Sequence, residues 1–210
     1  MTEPTVHVVD DDPSFLLAIA RLLRASGFRV ATYSTAREFL EEGAGRDPGC
    51  VIADLHMPDI DGLQLQTALA GSPSPLPVLF LTGLADTAST VRAMRGGAED
   101  FLEKTAERSV LLDAVRRALA RDQQSREEWL ERRALRARFE AISPREREVL
   151  GHVLRGRLNK QIAGDLGIHE RTVKVHRKSI MTKLNVRSVA ALARLSQDAG
   201  VTLPAEPTFP

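Results

Sequence analysis

The chain has 210 residues, 43% of them hydrophobic and 27% charged, with a formal net charge of +1. This is the composition of an ordinary soluble protein of one or two domains, and it excludes collagen-like, disordered and disulfide-rich classes. No apolar stretch approaches the roughly 18 residues needed to span a bilayer, and no N-terminal signal pattern is present, so a cytoplasmic location without membrane contact is expected. The near-zero charge hides an asymmetry. Residues 1–120 carry 11 Lys/Arg against 17 Asp/Glu, whereas residues 139–210 carry 12 against 7. An acidic front module and a basic rear module facing a polyanion are expected.

In chain order, Val6 to Val9 predicts a short strand. Pro13 to Ser26 carries Phe15, Leu16, Ile19, Leu22 and Leu23 at helical spacing, with Gly27 as a stop. Asp12 is expected to cap that helix ahead of Pro13. Phe28–Thr32 reads as the next strand, and Ser34 or Thr35 can cap a helix holding Phe39 and Leu40. A strand over 50–53 contains the single cysteine, Cys50, which reads as a core thiol. A helix from about Gly62 to Ala70 follows, then a loop with Pro73, Pro75 and Pro77, and a strand over 78–81. A helix from about Thr87 to Arg95 ends at Gly96-Gly97, a strand covers 100–103, and another helix begins near Ser109. This alternation predicts a doubly wound parallel sheet.

Residues 106–140 contain neither Pro nor Gly. Asp122–Arg126 and Glu128–Arg132 are i,i+4 pairs of the favourable order. They predict one long helix leaving the first domain, either a solvated spacer or a surface that pairs with a second subunit. From Ser143 the pattern is all-helical. Ser143-Pro144-Arg145-Glu146 is a capping box with proline at the first position, and Val149, Leu150, Val153 and Leu154 form an apolar face. Asn159 reads as the cap of a short helix with Ile162, Ala163 and Leu166, stopped by Gly167. His169 or Glu170 opens a longer helix through Leu184, and a fourth covers about Val189 to Leu195. The segment after Gly200, with Pro204, Pro207 and Pro210, reads as a loose tail.

In a parallel α/β sheet the carboxyl ends of the strands share one edge, and ligands bind there. Asp10 and Asp11 end the first apolar run, Asp54 the third, Thr82 the fourth and Lys104 the fifth. Unit like charges ~4 Å apart repel by about 4 kcal/mol at an effective dielectric of roughly 20, so the three carboxylates call for a cation. Oxygen donors suit Mg²⁺, and Lys104 adds a tethered ammonium. Asp54 is then a candidate nucleophile toward phosphorus. Thr82 can donate to a phosphoryl oxygen, and Gly83 leaves the following backbone N–H open to one.

Val9-Asp10-Asp11, Asp54-Leu55-His56-Met57-Pro58, Leu81-Thr82-Gly83 and Phe101-Leu102-Glu103-Lys104 resemble the motifs of the receiver domain of two-component response regulators, over about residues 4–120. The resemblance implies a (βα)₅ sheet of strand order 2-1-3-4-5. It implies that Asp54 accepts phosphate from a histidine kinase, and that Asp11 and Asp54 hold Mg²⁺ with the His56 backbone carbonyl and with Asp10 close by. It makes Phe101 the switch aromatic, which turns inward when Thr82 moves toward the phosphate. One position departs. The family usually has proline after the lysine, often with a cis bond, and Thr105 stands here. A cis bond before a non-proline residue costs about 2.5–4 kcal/mol, so a trans or rearranged loop is expected, which leaves the aim of Lys104 and the switch path open.

In the rear module, Asn159–Leu166, then Gly167-Ile168-His169, then Glu170–Leu184 fits helix-turn-helix, in which the second helix enters the major groove of DNA. That helix carries Arg171, Lys174, Arg177, Lys178 and Lys183, while Val173, Ile180 and Leu184 lie elsewhere and should pack inward. His169 and His176 lack the surrounding ligands of a metal pair. Ile142-Ser143-Pro144-Arg145-Glu146, Asn159-Lys160-Gln161-Ile162-Ala163, Thr172-Val173-Lys174-Val175-His176 and Lys183-Leu184-Asn185-Val186 resemble the LuxR-type helix-turn-helix of the NarL/FixJ response regulators, over about residues 139–197. The resemblance implies that Lys174, Val175 and Lys178 approach base edges. It sets Asn159, Lys160, Thr172 and Arg177 on phosphates and makes the final helix a dimer contact.

The expected organisation is a receiver over 1–120, a helical linker over 121–138, a DNA-binding domain over 139–200 and a tail over 201–210. The expected function is a response regulator, not an enzyme, phosphorylated on Asp54. On activation it dimerises, binds double-stranded operator DNA and regulates, chiefly activates, transcription. Its implied partners are a sensor histidine kinase and a second copy of the chain, with RNA polymerase open as a further one. Two alternatives stay open. One is a phosphohydrolase that turns over on Asp54, although such enzymes of the haloacid-dehalogenase type want a second Asp where His56 stands. The other is a DNA-binding regulator switched by a partner or ligand without phosphorylation.

Overall fold

The computed structural model describes residues 3–42, 47–72, 75–83 and 86–200, so Pro73 and the expected tail lie outside the described residues. The chain divides into two compact units, Met1–Glu127 and Glu128–Pro210.

In the first unit the elements alternate as β1 (Thr5–Val9), α1 (Pro13–Ala25), β2 (Arg29–Tyr33), α2 (Ala36–Glu42), β3 (Gly49–Ala53), α3 (Gly62–Ala70), β4 (Val78–Thr82), α4 (Thr87–Arg95), β5 (Asp100–Glu103) and the beginning of α5 (Arg108–Glu140). The strands are parallel in the order β2-β1-β3-β4-β5. Strand alternation sorts the core into two layers. Val9, Val51, Ala53, Val78 and Phe80 pack with Phe39 of α2, Leu65 and Leu69 of α3 and Ala93 of α4. Val6, Val8, Cys50, Ile52, Leu79 and Leu81 pack with Ile19 and Leu23 of α1 and with Leu111, Leu112, Val115 and Ala118 of α5. Both faces of the sheet are therefore covered, which is why its strands read as continuous apolar runs. Cys50 is fully buried, and burial pushes its thiol pKa up, as suits a core residue.

Local chemistry sets the boundaries. Asp12 caps α1, accepting from the N–H groups of Ser14 and Phe15. Thr35 rather than Ser34 supplies the acceptor at α2, taking the Glu38 N–H at 3.1 Å. β2 begins one residue later than the sequence predicts. Phe28 is used to close α1: its N–H donates to Leu23 O and that of Gly27 to Arg24 O, with Gly27 at φ +88°. This is a Schellman closure, which needs the left-handed residue that glycine supplies.

The spacer reading of α5 changes before residue 128. Asp122 is 1% exposed. Its Oδ2 accepts the Gly49 N–H at 2.8 Å and Arg126 Nε at 2.9 Å, and Arg126 also donates to Asp47 O. The pair read as a surface i,i+4 contact is a clamp on the start of β3.

The second unit holds the end of α5, α6 (Pro144–Leu154), α7 (Asn159–Leu166), α8 (Glu170–Lys183) and α9 (Val189–Asp198). Leu135 and Phe139 of α5 join Ile142, Val149, Leu150, Val153, Ile162, Val173, Ile180, Leu184 and Leu192 in one core. Gly167, at φ +63°, makes the turn between α7 and α8. Asn159 is not the cap expected. Leu158 holds that position, its N–H bonded to Gln161 Oε1 at 2.9 Å, while the Asn159 side chain is taken by Arg177 of α8. α9 continues to Asp198, past the expected end, with Ser196 buried and bonded back to Leu192 O. Among the described residues no helix is long and apolar enough to cross a membrane.

Candidate functional site

The register of the sheet assembles the acidic pocket. Val9 lies beside Ala53, so Asp10 and Asp54 leave adjacent strands at the same end. Thr82, fully buried, ends β4 beside Glu103, and its carbonyl accepts the Lys104 N–H at 2.8 Å. Ligand oxygens of Asp10, Asp11 and Asp54 lie within 4.8 Å of one another. Asp10 and Asp54 are buried and Asp11 is exposed. Hard carboxylate oxygens at this spacing, one of them open to solvent, fit a divalent metal. His56 is exposed, and its N–H lies 3.4 Å from Asp54 Oδ1.

Lys104 Nζ bridges the two buried acids, 2.7 Å from Asp10 Oδ2 and 2.9 Å from Asp54 Oδ2. Burial pushes the Asp10 carboxyl above its ordinary range, partly offset by Lys104 and the Asp12 N–H. Burial also disfavours the Lys104 charge, but its hydrogen bonds to Asp10 and Asp54 outweigh this and raise its pKa. The departure at Thr105 does not misdirect the lysine. Among the described residues there is no cis peptide bond. Instead the Ala106 N–H closes a turn on Glu103 O, and Thr105 Oγ1 donates to the Glu103 carboxylate. Lys104 reaches the pocket from that trans turn. Phe101 is half-buried, its ring centroid 6.0 Å from that of Phe80.

Sequence reasoning missed two residues here. A Cβ on Gly62 would collide with the Asp54 carbonyl oxygen and lie 2.7 Å from the Phe80 ring, so only glycine lets α3 start against the Asp54 loop. Gly83, singled out from sequence, has nothing within 4 Å of such an atom, and packing does not require glycine there. The other is Phe15, whose ring centroid lies 4.4 Å from Lys104 Nζ. Its helical spacing marked it as apolar, and nothing local named its partner.

On the second unit, Lys174, Val175 and Lys178 are exposed on α8, while Val173 and Ile180 of the same helix are buried. Lys174 Nζ is 3.3 Å from Glu170 Oε1, an exposed i,i+4 pair that costs little to exchange. Arg177 donates to Asn159 Oδ1 at 2.9 Å, joining the two helices, while Lys160 is exposed and Thr172 half-buried. Lys183 turns away from this face. Its Nζ is 2.7 Å from Glu146 Oε2, and Ser179 Oγ donates to the other oxygen. Glu146 is 5% exposed and also takes the Ser143 N–H. Desolvation pushes its pKa up, but the bonds from Lys183, Ser179 and Ser143 overcome this and hold it at about 2.

Comparison with known proteins agrees with both halves. Residues 6–116 match the response regulator receiver domain, and residues 140–196 match the bacterial regulatory proteins of the luxR family. Nodulation protein W of Bradyrhizobium diazoefficiens is 40% identical over 201 residues, covering 96% of this chain and 88% of that protein. Transcriptional regulatory protein FixJ of Azorhizobium caulinodans is 39% identical over 205 residues, covering 98% and 97%. Among solved structures, the response regulator StyR superposes with a TM-score of 0.80 at 43% identity, covering 93% of this chain and 99% of that one. Full-length FixJ from B. japonicum does so with a TM-score of 0.56 at 34% identity, covering 96% and 100%. A receiver pocket and a basic helix-turn-helix on one polypeptide, with relatives alike along nearly its whole length, place this chain in the NarL/FixJ family of two-component response regulators that control transcription.

Proposed function

We propose that Asp54 is the phosphoacceptor of a cytoplasmic regulator with a receiver over 1–120, a linker over 121–138 and a DNA-binding domain over 139–200. An Asp54 oxygen attacks phosphorus carried on an imidazole of a sensor histidine kinase. The P–O bond forms as the P–N bond breaks, and the imidazole nitrogen keeps the electron pair and takes a proton from solvent. Asp10, Asp11, Asp54 and the His56 carbonyl would hold Mg²⁺, whose charge offsets the carboxylates and the phosphoryl oxygens. Lys104 exchanges its bond to Asp54 for one to a phosphoryl oxygen, and the Thr82 hydroxyl donates to another. Phe101 then follows Thr82 inward.

That movement favours pairing with a second copy through the face made by α4 and β5. The paired rear units bind operator DNA, with Lys174, Val175 and Lys178 at base edges and Asn159, Lys160, Thr172 and Arg177 at phosphates. Transcription is activated, with RNA polymerase as the eventual partner. The observation that carries this reading is the Lys104 ammonium bridging Asp10 and Asp54 at the sheet edge shared with Thr82. That contact also favours phosphorylation over switching by a ligand, because Thr105 leaves Lys104 in reach of both acids. In the presence of Mg²⁺, Asp54→Asn should abolish labelling by radioactive acetyl phosphate and the gain in operator affinity that follows. Undiminished labelling of that variant refutes the assignment.

A further inference from the structure

Lys104 has three N–H donors, and two carboxylates engage its nitrogen. Beside the same nitrogen lies the face of Phe15, with the ring centroid 4.4 Å away. An aromatic face attracts a cation within about 6 Å of its centroid, more strongly as the pair is withdrawn from water. The Lys104 side chain is only 19% exposed. The ring is also well anchored. Phe15 lies in the first turn of α1, where Asp12 accepts its N–H, and its side chain packs against the core layer that contains Ile19 and Leu23.

We propose that Phe15 is a positioning residue for phosphoryl transfer, holding the Lys104 ammonium over the pocket while its bond to Asp54 is exchanged. This rests on the reading of Asp54 as the phosphoacceptor. As Asp54 becomes an acyl phosphate, Lys104 must give up its bond to that carboxylate before a phosphoryl oxygen replaces it. Asp10 remains, but one hydrogen bond leaves a long, flexible side chain free to swing about it. The Phe15 ring is the second restraint, and phosphorylation does not consume it. Because Lys104 stands in the turn closed between Glu103 and Ala106, the ring fixes the tip of the side chain while the turn fixes its base.

The test uses the full chain with Phe15→Leu, Phe15→Tyr, Lys104→Met and the Phe15→Leu/Lys104→Met double variant. Two quantities are read: the rate of labelling by acetyl phosphate with Mg²⁺, and the carbon–proton NMR shift of the Lys104 ε-methylene. The wild type and Phe15→Tyr should show that methylene shifted upfield by the ring, and Phe15→Leu should lose the shift. Phe15→Leu should slow labelling roughly threefold, as expected for removing a partly exposed cation–π interaction, and Phe15→Tyr should restore it. In the Lys104→Met chain the leucine change should slow labelling no further.

A wild-type rate in Phe15→Leu, or no upfield shift in the wild type, overturns the proposal. So does equal slowing with and without Lys104, because that is the mark of a packing residue alone. If Asp54→Asn labels normally, the phosphoacceptor reading fails instead, and the methylene shift still reports whether the ring holds the lysine.

Discussion

Glu146 offers the sharpest quantitative test of how α8 is held. Its carboxylate lies at the N-terminus of α6 and takes bonds from Ser143 N, Ser179 Oγ and Lys183 Nζ, the last two on α8. Its pKa stands at about 2 against an ordinary 4.5. Unscreened, a shift of that size corresponds to roughly 3 kcal/mol of stability. The Lys183 side chain is 38% exposed, so solvent weakens the pair, and about 2 kcal/mol is the better expectation. Because the folded pKa is depressed, this stabilisation is complete above the unfolded value of 4.5 and is lost as pH falls from there toward 2. Trp129 is the only tryptophan and belongs to the second unit, so its fluorescence follows that unit through urea denaturation of the full chain. Glu146→Gln should lower stability at pH 6 by about 2 kcal/mol and flatten the acid dependence. Lys183→Met should do much the same. Wild-type stability in Glu146→Gln at pH 6, with an unchanged slope between pH 4.5 and 2, would refute the reasoning.

Gly62→Ala should force the Asp54 loop or Phe80 aside. We expect it to destabilise the first unit by ~1–3 kcal/mol in urea titrations followed by circular dichroism and to slow acetyl phosphate labelling. Gly83→Ala meets no atom within 4 Å and should leave stability unchanged, so equal stability of the two variants would contradict the geometry. Lys160→Ala and Lys174→Ala alter exposed side chains and should leave folding within about 0.5 kcal/mol of the wild type. Lys160→Ala should weaken binding to all sequences and make the salt slope shallower by about 0.9 for each DNA phosphate it no longer neutralises, measured by fluorescence anisotropy. Lys174→Ala should chiefly relax base preference. An unchanged salt slope in Lys160→Ala would show that this lysine neutralises no phosphate.

The fold was legible wherever a rule of spacing coincided with a local stop. The helices Gly62–Ala70 and Thr87–Arg95 fall where the sequence puts them because each begins at an aspartate cap and ends at glycine. Boundaries moved where a backbone group was spent on a neighbour. Phe28 left β2 because its N–H closes α1, and Asn159 ceded the cap position while its side chain bonds Arg177, 18 residues away. The helix over 108–140 was legible as a helix. That Asp122 clamps Gly49 was not, because an i,i+4 pair reads the same whether it faces water or a strand end 73 residues away.

The candidate site divides in the same way. Asp10, Asp11, Asp54, Thr82 and Lys104 could be named in advance, because parallel strands carry whatever follows their last residue to one edge. What spacing leaves open is which atoms meet. Glu146 was legible as a capping residue, and that role is real. The same carboxylate also joins α6 to Ser179 and Lys183, so the helix that would read DNA is set by a residue with no place on the DNA face. Thr105 leaves the aim of the lysine open from sequence, and in the structure Lys104 reaches both acids. Proline is one way to build the turn, and closure by Ala106 and Glu103 is another. In each case the chemistry was written locally and the partner came from the far side of the fold. The variants that discriminate best are therefore those that remove a partner, Ser179 or Phe15, and leave the functional residue in place.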